Sequence, residues 1–118
     1  TKKILEDDDI QVNPTCVRVP VFYGHSEAVH IETKTPISVE VAKQLLSAAP
    51  GLKVSNDGEF ATPVKDAAGT DPVFVSRIRQ DISHPNGLDL WVVSDNVRKG
   101  AALNSVQIAE ELMKLWAK

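Results

Sequence analysis

The stretch that most constrains this chain is residues 15–26, which read TCVRVPVFYGHS. Its apolar residues alternate as they do in a half-buried β-strand, with Val17, Val19 and Val21 on one face. Arg18 lies on the opposite face and is predicted to point away from the core. An extended strand rises about 3.4 Å per residue, so Arg18 and His25 would lie up to about 24 Å apart. They can share a site only if the chain bends between them.

Two residues between Arg18 and His25 allow such a bend. Pro20 has no amide hydrogen to give to a neighbouring strand, and Gly24 can adopt backbone angles that other residues avoid. We therefore expect a bend between Pro20 and Gly24, with His25 presented in a Gly-His-Ser turn.

The composition excludes several classes of partner. With 118 residues, of which 42% are hydrophobic, the chain suits one domain with its own core. Its net charge of -3 and the lack of a basic run with interleaved aromatic residues argue against nucleic acid. No stretch approaches the roughly 20 apolar residues of a membrane span, and no signal-peptide pattern is present. We expect a cytoplasmic protein.

Metal and disulfide chemistry are also not predicted. Cys16 is the single cysteine, so an internal disulfide and a cysteine zinc cluster are both ruled out. The acidic run at residues 6–9 lacks the spaced ligands and glycine turn of a calcium loop and is interpreted as a solvated turn. The start at Thr1, without methionine, reads like the end of a helix that begins elsewhere, which predicts a fragment or a processed piece.

Hydrophobic periodicity predicts an α+β domain with a mixed, largely antiparallel sheet covered by helices. Strands are expected in the opening stretch and at residues 28–33, 52–54, 73–80 and 88–93, and helices at 39–46 and 100–117. The first two strands are expected to pair antiparallel, and the last two to form a hairpin through His84-Pro85-Asn86-Gly87.

Side-chain patterns add detail to two of these elements. The helix after the Ser38 cap is expected to cover the sheet with a stripe of Val41, Leu45 and Ala49, with Ala42 and Leu46 alongside. In the strand at 73–80, strict alternation places Val73, Val75, Arg77 and Arg79 on one side. The two arginines could hold an anion or an acidic loop, and a structural salt bridge is the favoured role.

His25 is the strongest candidate for proton transfer, because imidazole titrates near neutral pH and Gly24 can present it in a turn. Arg18 offers a planar fork that suits a carboxylate or a phosphate. Cys16 is rejected as a nucleophile, since a strand cysteine without a helix N-terminus or adjacent cation keeps an ordinary thiol. His30 and His84 are expected to be exposed and inert. The residues alone thus predict an anion site beside an acid/base.

Two separated motifs stand out, CVRVPV followed by GHSEA at residues 16–28 and LWVVSDNVRKGAALN at residues 90–104. Together they resemble the C-terminal catalytic and dimerisation domain of bacterial aspartate-semialdehyde dehydrogenase. The resemblance covers almost the whole chain. It implies a fold like the C-terminal domain of glyceraldehyde-3-phosphate dehydrogenase, with residues 1–118 forming the domain and helix 100–117 packing on an N-terminal Rossmann domain outside this sequence.

The resemblance also implies an activity and site residues. The family uses NADPH to convert L-aspartyl 4-phosphate to L-aspartate 4-semialdehyde, the precursor of lysine, methionine and threonine. His25 matches the acid/base histidine, Arg18 the arginine that binds the substrate carboxylate, and Asn96, more weakly, a polar residue near the nicotinamide. A homodimer or homotetramer is implied.

The chain departs from the family pattern in ways that leave alternatives open. It contains neither an Asn-Cys nucleophile motif nor a glycine-rich nucleotide loop. We therefore expect a dehydrogenase portion that is inactive alone. A free-standing domain that dimerises or binds an acidic ligand without catalysis is the alternative, and a reductase for acetylglutamyl phosphate is a lesser one.

Overall fold

The computed structural model describes residues 1–19 and 21–117. In chain order its elements are α1 (Lys2–Leu5), β1 (His25–Glu32), α2 (Val39–Ala48), β2 (Leu52–Val54), a π-helical turn (Pro63–Ala67), β3 (Val73–Gln80), β4 (Gly87–Ser94), a second π-helical turn (Arg98–Ala102) and α3 (Leu103–Trp116). No helix in this described part of the chain is long and apolar enough to cross a membrane.

The strands form one mixed sheet in the order β1-β4-β3-β2. The two contacts of β4, with β1 and with β3, are antiparallel, while β2 pairs with β3 in parallel. This confirms the predicted α+β class and the hairpin of the last two long strands. The expected antiparallel pairing of the opening stretch with β1 is wrong, because the partner of β1 is β4, with His25 opposite Ser94 and Glu32 opposite Gly87.

One face of the sheet is covered by α2, and we call it the helix face. Its buried core consists of Ala42, Val75, Ile78 and Leu88. Ser38 caps α2 as predicted, since its hydroxyl accepts a hydrogen bond from the amide of Val41 at 3.2 Å.

The stripe predicted for α2 is rotated around the helix. Ala42 and Leu46 pack on the sheet together with Val39. Val41 and Leu45 are 45% and 61% exposed. Spacings of three and four residues, from Val39 through Ala42 to Leu46, describe the buried stripe better than the predicted spacing of four.

The opposite face has an irregular cover, and we call it the segment face. Its buried core consists of Ala61, Ala67, Trp91 and Val93, with Val19 and Phe74 packed against it. The indole nitrogen of Trp91 donates to the carbonyl of Ala61 at 2.9 Å, and the Ser76 hydroxyl accepts from the Ala61 amide at 3.3 Å. Two buried hydrogen bonds thus fix the loop before the first π-helical turn onto the sheet.

The predicted strand in the opening stretch is not formed. Residues 11–19 have no regular secondary structure, although the alternation of side chains is kept, because Thr15, Val17, Val19 and Val21 line the same cleft. The carbonyls of Pro14 and Cys16 accept hydrogen bonds from arginine side chains of β3 rather than from a neighbouring strand. Pro20, where a bend was predicted, lies outside the described residues.

The alternation predicted for β3 is interrupted. Val75 and Ile78 both pack in the core of the helix face, although an unbroken strand would place them on opposite faces. The register with β4 shifts between Ser76 and Arg79, and Arg77 has a positive φ of 51°. A β-bulge of this kind adds one residue to the strand, which the sequence pattern did not indicate.

Helix α3 forms where a C-terminal helix was predicted, but it has no buried residue. Its main contacts are with the π-helical turn that precedes it. Large apolar side chains remain exposed along it, including Val106, Ile108, Leu112, Met113 and Trp116.

Candidate functional site

The candidate site is a cleft of about 450 Å³ between the opening stretch and the sheet, which we call the valine cleft. Its walls are Thr15, Val17, Val19, Val21, Gly24, His25, Ser26, Ala28 and Trp91. The hydroxyl of Ser26 is buried there and has no hydrogen-bond partner among the described residues. The cleft therefore combines an apolar wall with a few polar groups, as small-molecule sites generally do.

Gly24 lines the valine cleft, and a residue with a Cβ atom does not fit its position. Its φ is 105°, and a Cβ atom added there would lie 2.6 Å from the Cβ of Pro63, which is buried at the start of the first π-helical turn. The predicted bend at Gly24 is therefore present. It is fixed by contact with a distant loop as well as by the freedom of glycine.

His25 follows Gly24 as the first residue of β1, rather than in the expected Gly-His-Ser turn. Its side chain is 58% exposed, and Nε2 contacts Oε1 of Glu27. Residues two apart on a strand share a face, so the Glu27 partner could have been found from the sequence and was missed. An exposed imidazole paired with a carboxylate can exchange protons with a bound molecule.

Asn96 lies beside this turn. Its side-chain oxygen accepts a hydrogen bond from the backbone amide of Gly24 at 2.9 Å, which links the end of β4 to the start of β1. The sequence placed Asn96 and His25 in separate motifs 71 positions apart. The structure brings them together.

Asp95 fixes the loop that carries Asn96. It is 3% exposed, and its carboxylate accepts hydrogen bonds from the amides of Gly69, Val97 and Arg98 at 2.8, 2.9 and 3.0 Å. The amide of Gly69 is the largest of the causes that lower the pKa of Asp95. Sequence reasoning missed this residue, although an aspartate before a helix often caps it.

Arg18 is exposed and has no hydrogen-bond or ion-pair partner among residues 1–19 and 21–117. This agrees with the prediction that it points away from the core. Its neighbours Val17 and Val19 line the valine cleft. The convergence of Arg18 with His25 stays a prediction.

A second polar cluster lies on the segment face. Nδ1 of His30 is 3.1 Å from Oδ1 of Asp89, and Nε2 is 3.5 Å from Glu32 and 3.7 Å from Asp81. The hydrogen bond to Asp89 is the main cause that raises the pKa of His30. His30 is exposed, as expected, but the prediction that it is inert missed these three carboxylates.

The predicted exposure of His84 is wrong, whereas the salt bridge favoured for the arginine pair is confirmed for Arg79. His84 is half-buried rather than exposed, and its Nδ1 accepts a hydrogen bond from the amide of Asn86 at 3.3 Å. The salt bridge favoured for the arginine pair exists between Arg79 and Asp89, whose Nη2 and Oδ2 atoms are 3.4 Å apart.

Comparisons with known proteins agree with the fold and the motifs. The family described as "Semialdehyde dehydrogenase, dimerisation domain" matches residues 1–99. The aspartate-semialdehyde dehydrogenase of Shewanella violacea is 61% identical over 97% of this chain, and that of Legionella pneumophila is 60% identical over 97%. The chain covers 34% of the length of each of these relatives.

Solved structures give the same result. A crystal structure of aspartate semialdehyde dehydrogenase II from Vibrio cholerae, complexed with ASA, matches 96% of this chain with a TM-score of 0.76 and 57% identity, and 34% of that protein is covered. A probable aspartate-semialdehyde dehydrogenase from Pseudomonas aeruginosa matches 81% of the chain, and 29% of its own is covered, with a TM-score of 0.74 and 40% identity.

Proposed function

This chain belongs to the semialdehyde dehydrogenase dimerisation-domain family, and on that premise we propose that it supplies the C-terminal catalytic and dimerisation part of an NADP-dependent aspartate-semialdehyde dehydrogenase. The reaction would be reductive dephosphorylation of L-aspartyl 4-phosphate to L-aspartate 4-semialdehyde, in the cytoplasmic synthesis of lysine, methionine and threonine. Because the chain spans about a third of the curated relatives, the nucleophilic cysteine and the nucleotide loop are assigned to a longer polypeptide.

The observation that carries this proposal is the hydrogen bond between Asn96 and Gly24. It joins the two motifs that resemble the family, and because His25 follows Gly24 in the chain, it supports a site that combines His25 with Asn96. A purely structural domain has no need to combine an exposed imidazole, a side-chain amide and an apolar cleft at one sheet end.

Arg18 is assigned to the substrate carboxylate. An exposed guanidinium that has no partner within the described part of the chain is available for a ligand, and its planar fork pairs with a carboxylate through two parallel hydrogen bonds. Such pairing fixes orientation as well as affinity, which holds the reacting carbon of a small substrate in one place.

His25 is assigned to proton transfer, with Glu27 as its partner. The contact between Nε2 of His25 and Oε1 of Glu27 limits the rotation of the ring. In this role His25 gives a proton to, or takes one from, the oxygen of the reacting carbonyl group.

Among the described residues we assign only Asn96 to NADP, at the nicotinamide end of the cofactor. The side-chain oxygen of Asn96 is used by Gly24, which leaves its amide NH2 group to donate to a carboxamide. When bound, the cofactor supplies the hydride. No glycine-rich phosphate loop occurs in the sequence, so the rest of the cofactor would be held by another domain.

Exposed apolar surface supports a multidomain, oligomeric protein. We assign the exposed side of α3, with Leu112 and Trp116, to packing against the nucleotide-binding domain. The exposed Val41 and Leu45 of α2 are assigned to a homodimer or homotetramer contact.

The test is an assay of the intact gene product with L-aspartate 4-semialdehyde, phosphate and NADP, which measures the reverse reaction through NADPH absorbance. We expect turnover by the intact protein. In Arg18→Ala, KM for the semialdehyde should rise roughly 10- to 100-fold while KM for NADP stays unchanged. Lys34→Met, which removes an exposed cation elsewhere, is the matched control.

The result also separates the alternatives. An intact protein that dimerises but turns over neither this substrate nor acetylglutamyl substrates would contradict the proposal and favour a non-catalytic domain. Activity restricted to the acetylglutamyl substrate would favour the other reductase.

A further inference from the structure

Residues 13–16 are irregular, but each is held by a polar side chain of the sheet. The side-chain amide of Asn13 donates to Oδ2 of Asp89. Nη2 of Arg79 donates to the carbonyl of Pro14 at 3.3 Å and to the hydroxyl of Thr15 at 2.6 Å. Nη1 of Arg77 donates to the carbonyl of Cys16 at 3.3 Å. Side chains thus replace the ladder of backbone hydrogen bonds that a strand would have.

The bulge in β3 allows both arginines to reach this segment. Arg77 has a φ of 51°, a conformation that costs energy for any residue with a Cβ atom. Such strain persists where the surroundings demand it, and bulges redirect side chains next to functional sites. Here the redirected side chain of Arg77 meets Cys16.

Asp89 of β4 contacts both the irregular segment, through Asn13, and Arg79. It is 4% exposed and accepts from Asn13 while pairing with Arg79 at 3.4 Å. A buried carboxylate holds its partners firmly, because either partner left alone would be costly. Asp89 therefore sets the position of Arg79. Asp89 belongs to β4, the strand that also contributes Trp91 to the valine cleft.

We propose that Arg79, held by Asp89 and aided by the bulge at Arg77, is a positioning residue that fixes the place where the chain presents Arg18. Arg79 holds Thr15, and three residues of chain span at most about 11 Å, so the backbone of Arg18 is confined to that radius. The hydrogen bond from Arg77 to the carbonyl of Cys16 restricts it further. The inference rests on the substrate-binding role proposed for Arg18.

The experiment compares variants of the intact protein by amide hydrogen exchange of peptides spanning residues 13–19 and by steady-state kinetics. In Arg79→Leu we expect faster exchange in these peptides and a rise of about tenfold in KM for the aspartyl substrate, with kcat and KM for NADP within about twofold. Arg79→Lys, which keeps the charge beside Asp89, should restore part of both values.

Thr15→Val is a second, milder variant, which keeps the inference testable if Arg79→Leu does not fold. It removes the hydroxyl that accepts from Arg79 without changing side-chain shape or disturbing the Arg79–Asp89 pair. We expect a smaller change in the same direction, and none in Lys34→Met, the exposed control.

The outcomes distinguish this inference from the proposed function. Unchanged amide exchange in both Arg79→Leu and Thr15→Val would show that Arg79 does not hold residues 13–19 in place. Faster exchange with unchanged KM would overturn the coupling to Arg18. A wild-type protein without dehydrogenase activity would overturn the proposed function and with it the role of Arg18. The exchange data would still decide whether Arg79 holds residues 13–19 in place.

Discussion

The two faces of the sheet are covered in different ways. The helix face is closed by α2, whose side chains Ala42 and Leu46 pack on Val75, Ile78 and Leu88. The segment face is closed by the opening stretch and by the loop that leads into the first π-helical turn, and it carries the valine cleft and the polar cluster around Asp89. Hydrophobic periodicity specifies the first cover, whereas hydrogen bonds between residues far apart in sequence specify the second.

This difference separates stability from function. A helix on a sheet buries apolar area with every turn, which stabilises the fold but leaves no space for a ligand. An irregular segment held by side chains leaves a cleft and carries exposed polar groups to its edge. Changes on the helix face should therefore lower stability, and changes around the valine cleft should lower activity.

The largest expected effect is that of His25→Ala on turnover. Loss of the proton-transfer group should lower kcat of the intact protein roughly 100- to 10,000-fold, with little change in the unfolding midpoint, because the side chain is 58% exposed. Steady-state kinetics and thermal unfolding measure the two effects. Glu27→Gln should lower kcat less. An unchanged kcat in His25→Ala would remove His25 from the site.

Leu88→Ala should lower stability and leave substrate binding unchanged. Leu88 is 2% exposed in the core of the helix face, so its truncation should cost about 2–5 kcal/mol in the free energy of unfolding. KM for the aspartyl substrate should stay unchanged. Val21→Ala, at a position 37% exposed in the cleft, is the control and should cost much less stability. A large KM change in Leu88→Ala would break the division between the faces.

Gly24→Ala should affect both stability and activity. The new Cβ would lie 2.6 Å from that of Pro63 at a φ of 105°, so we expect a loss of about 1–3 kcal/mol in unfolding free energy and a reduced kcat. Gly58→Ala is matched in backbone, with a φ of 84°, but a Cβ there meets nothing within 4 Å. Denaturant unfolding should show the larger loss for Gly24→Ala, and equal losses would argue against the Pro63 contact.

The elements that the sequence predicted well are those with local signals. β2, β3 and the Ser38-capped helix follow from periodicity, caps and turns, and their observed bounds lie close to the predicted ones. Arg18 and His25 were identified from their side-chain chemistry and Gly24 from its conformational freedom, while the resemblance gave the first two their roles and added Asn96.

The elements that the sequence could not predict depend on distant partners. The opening stretch alternates like a strand, yet no local feature reveals that arginines of β3 occupy its carbonyls. The bulge at Arg77 has no glycine to mark it, and the contact of Gly24 with Pro63 spans 39 positions. Each of these requires the folded sheet.

The smallest expected effect is a pH dependence of stability through His30. The pKa of His30 is raised, first by its hydrogen bond to Asp89 and then by Glu32 and Asp81. Folding therefore favours the protonated ring. The stabilisation should be fully present below the ordinary pKa of 6.5 and should be lost as pH rises through the higher pKa of the folded state.

His30→Asn tests this sign, because asparagine keeps a hydrogen-bond donor but cannot titrate. The measurement is the thermal unfolding midpoint of both intact proteins between about pH 5 and pH 9, together with an NMR titration of His30 in the wild type. The wild type should exceed the variant most at the acid end, and the difference should shrink as pH rises. The pKa of Asp81 is lowered by Ser83, so Asp81 stays ionised through this range. A difference that grows with pH would show that His30 is held as the neutral ring, and the polar cluster would then stabilise the segment face through Arg79 and Asp89 alone.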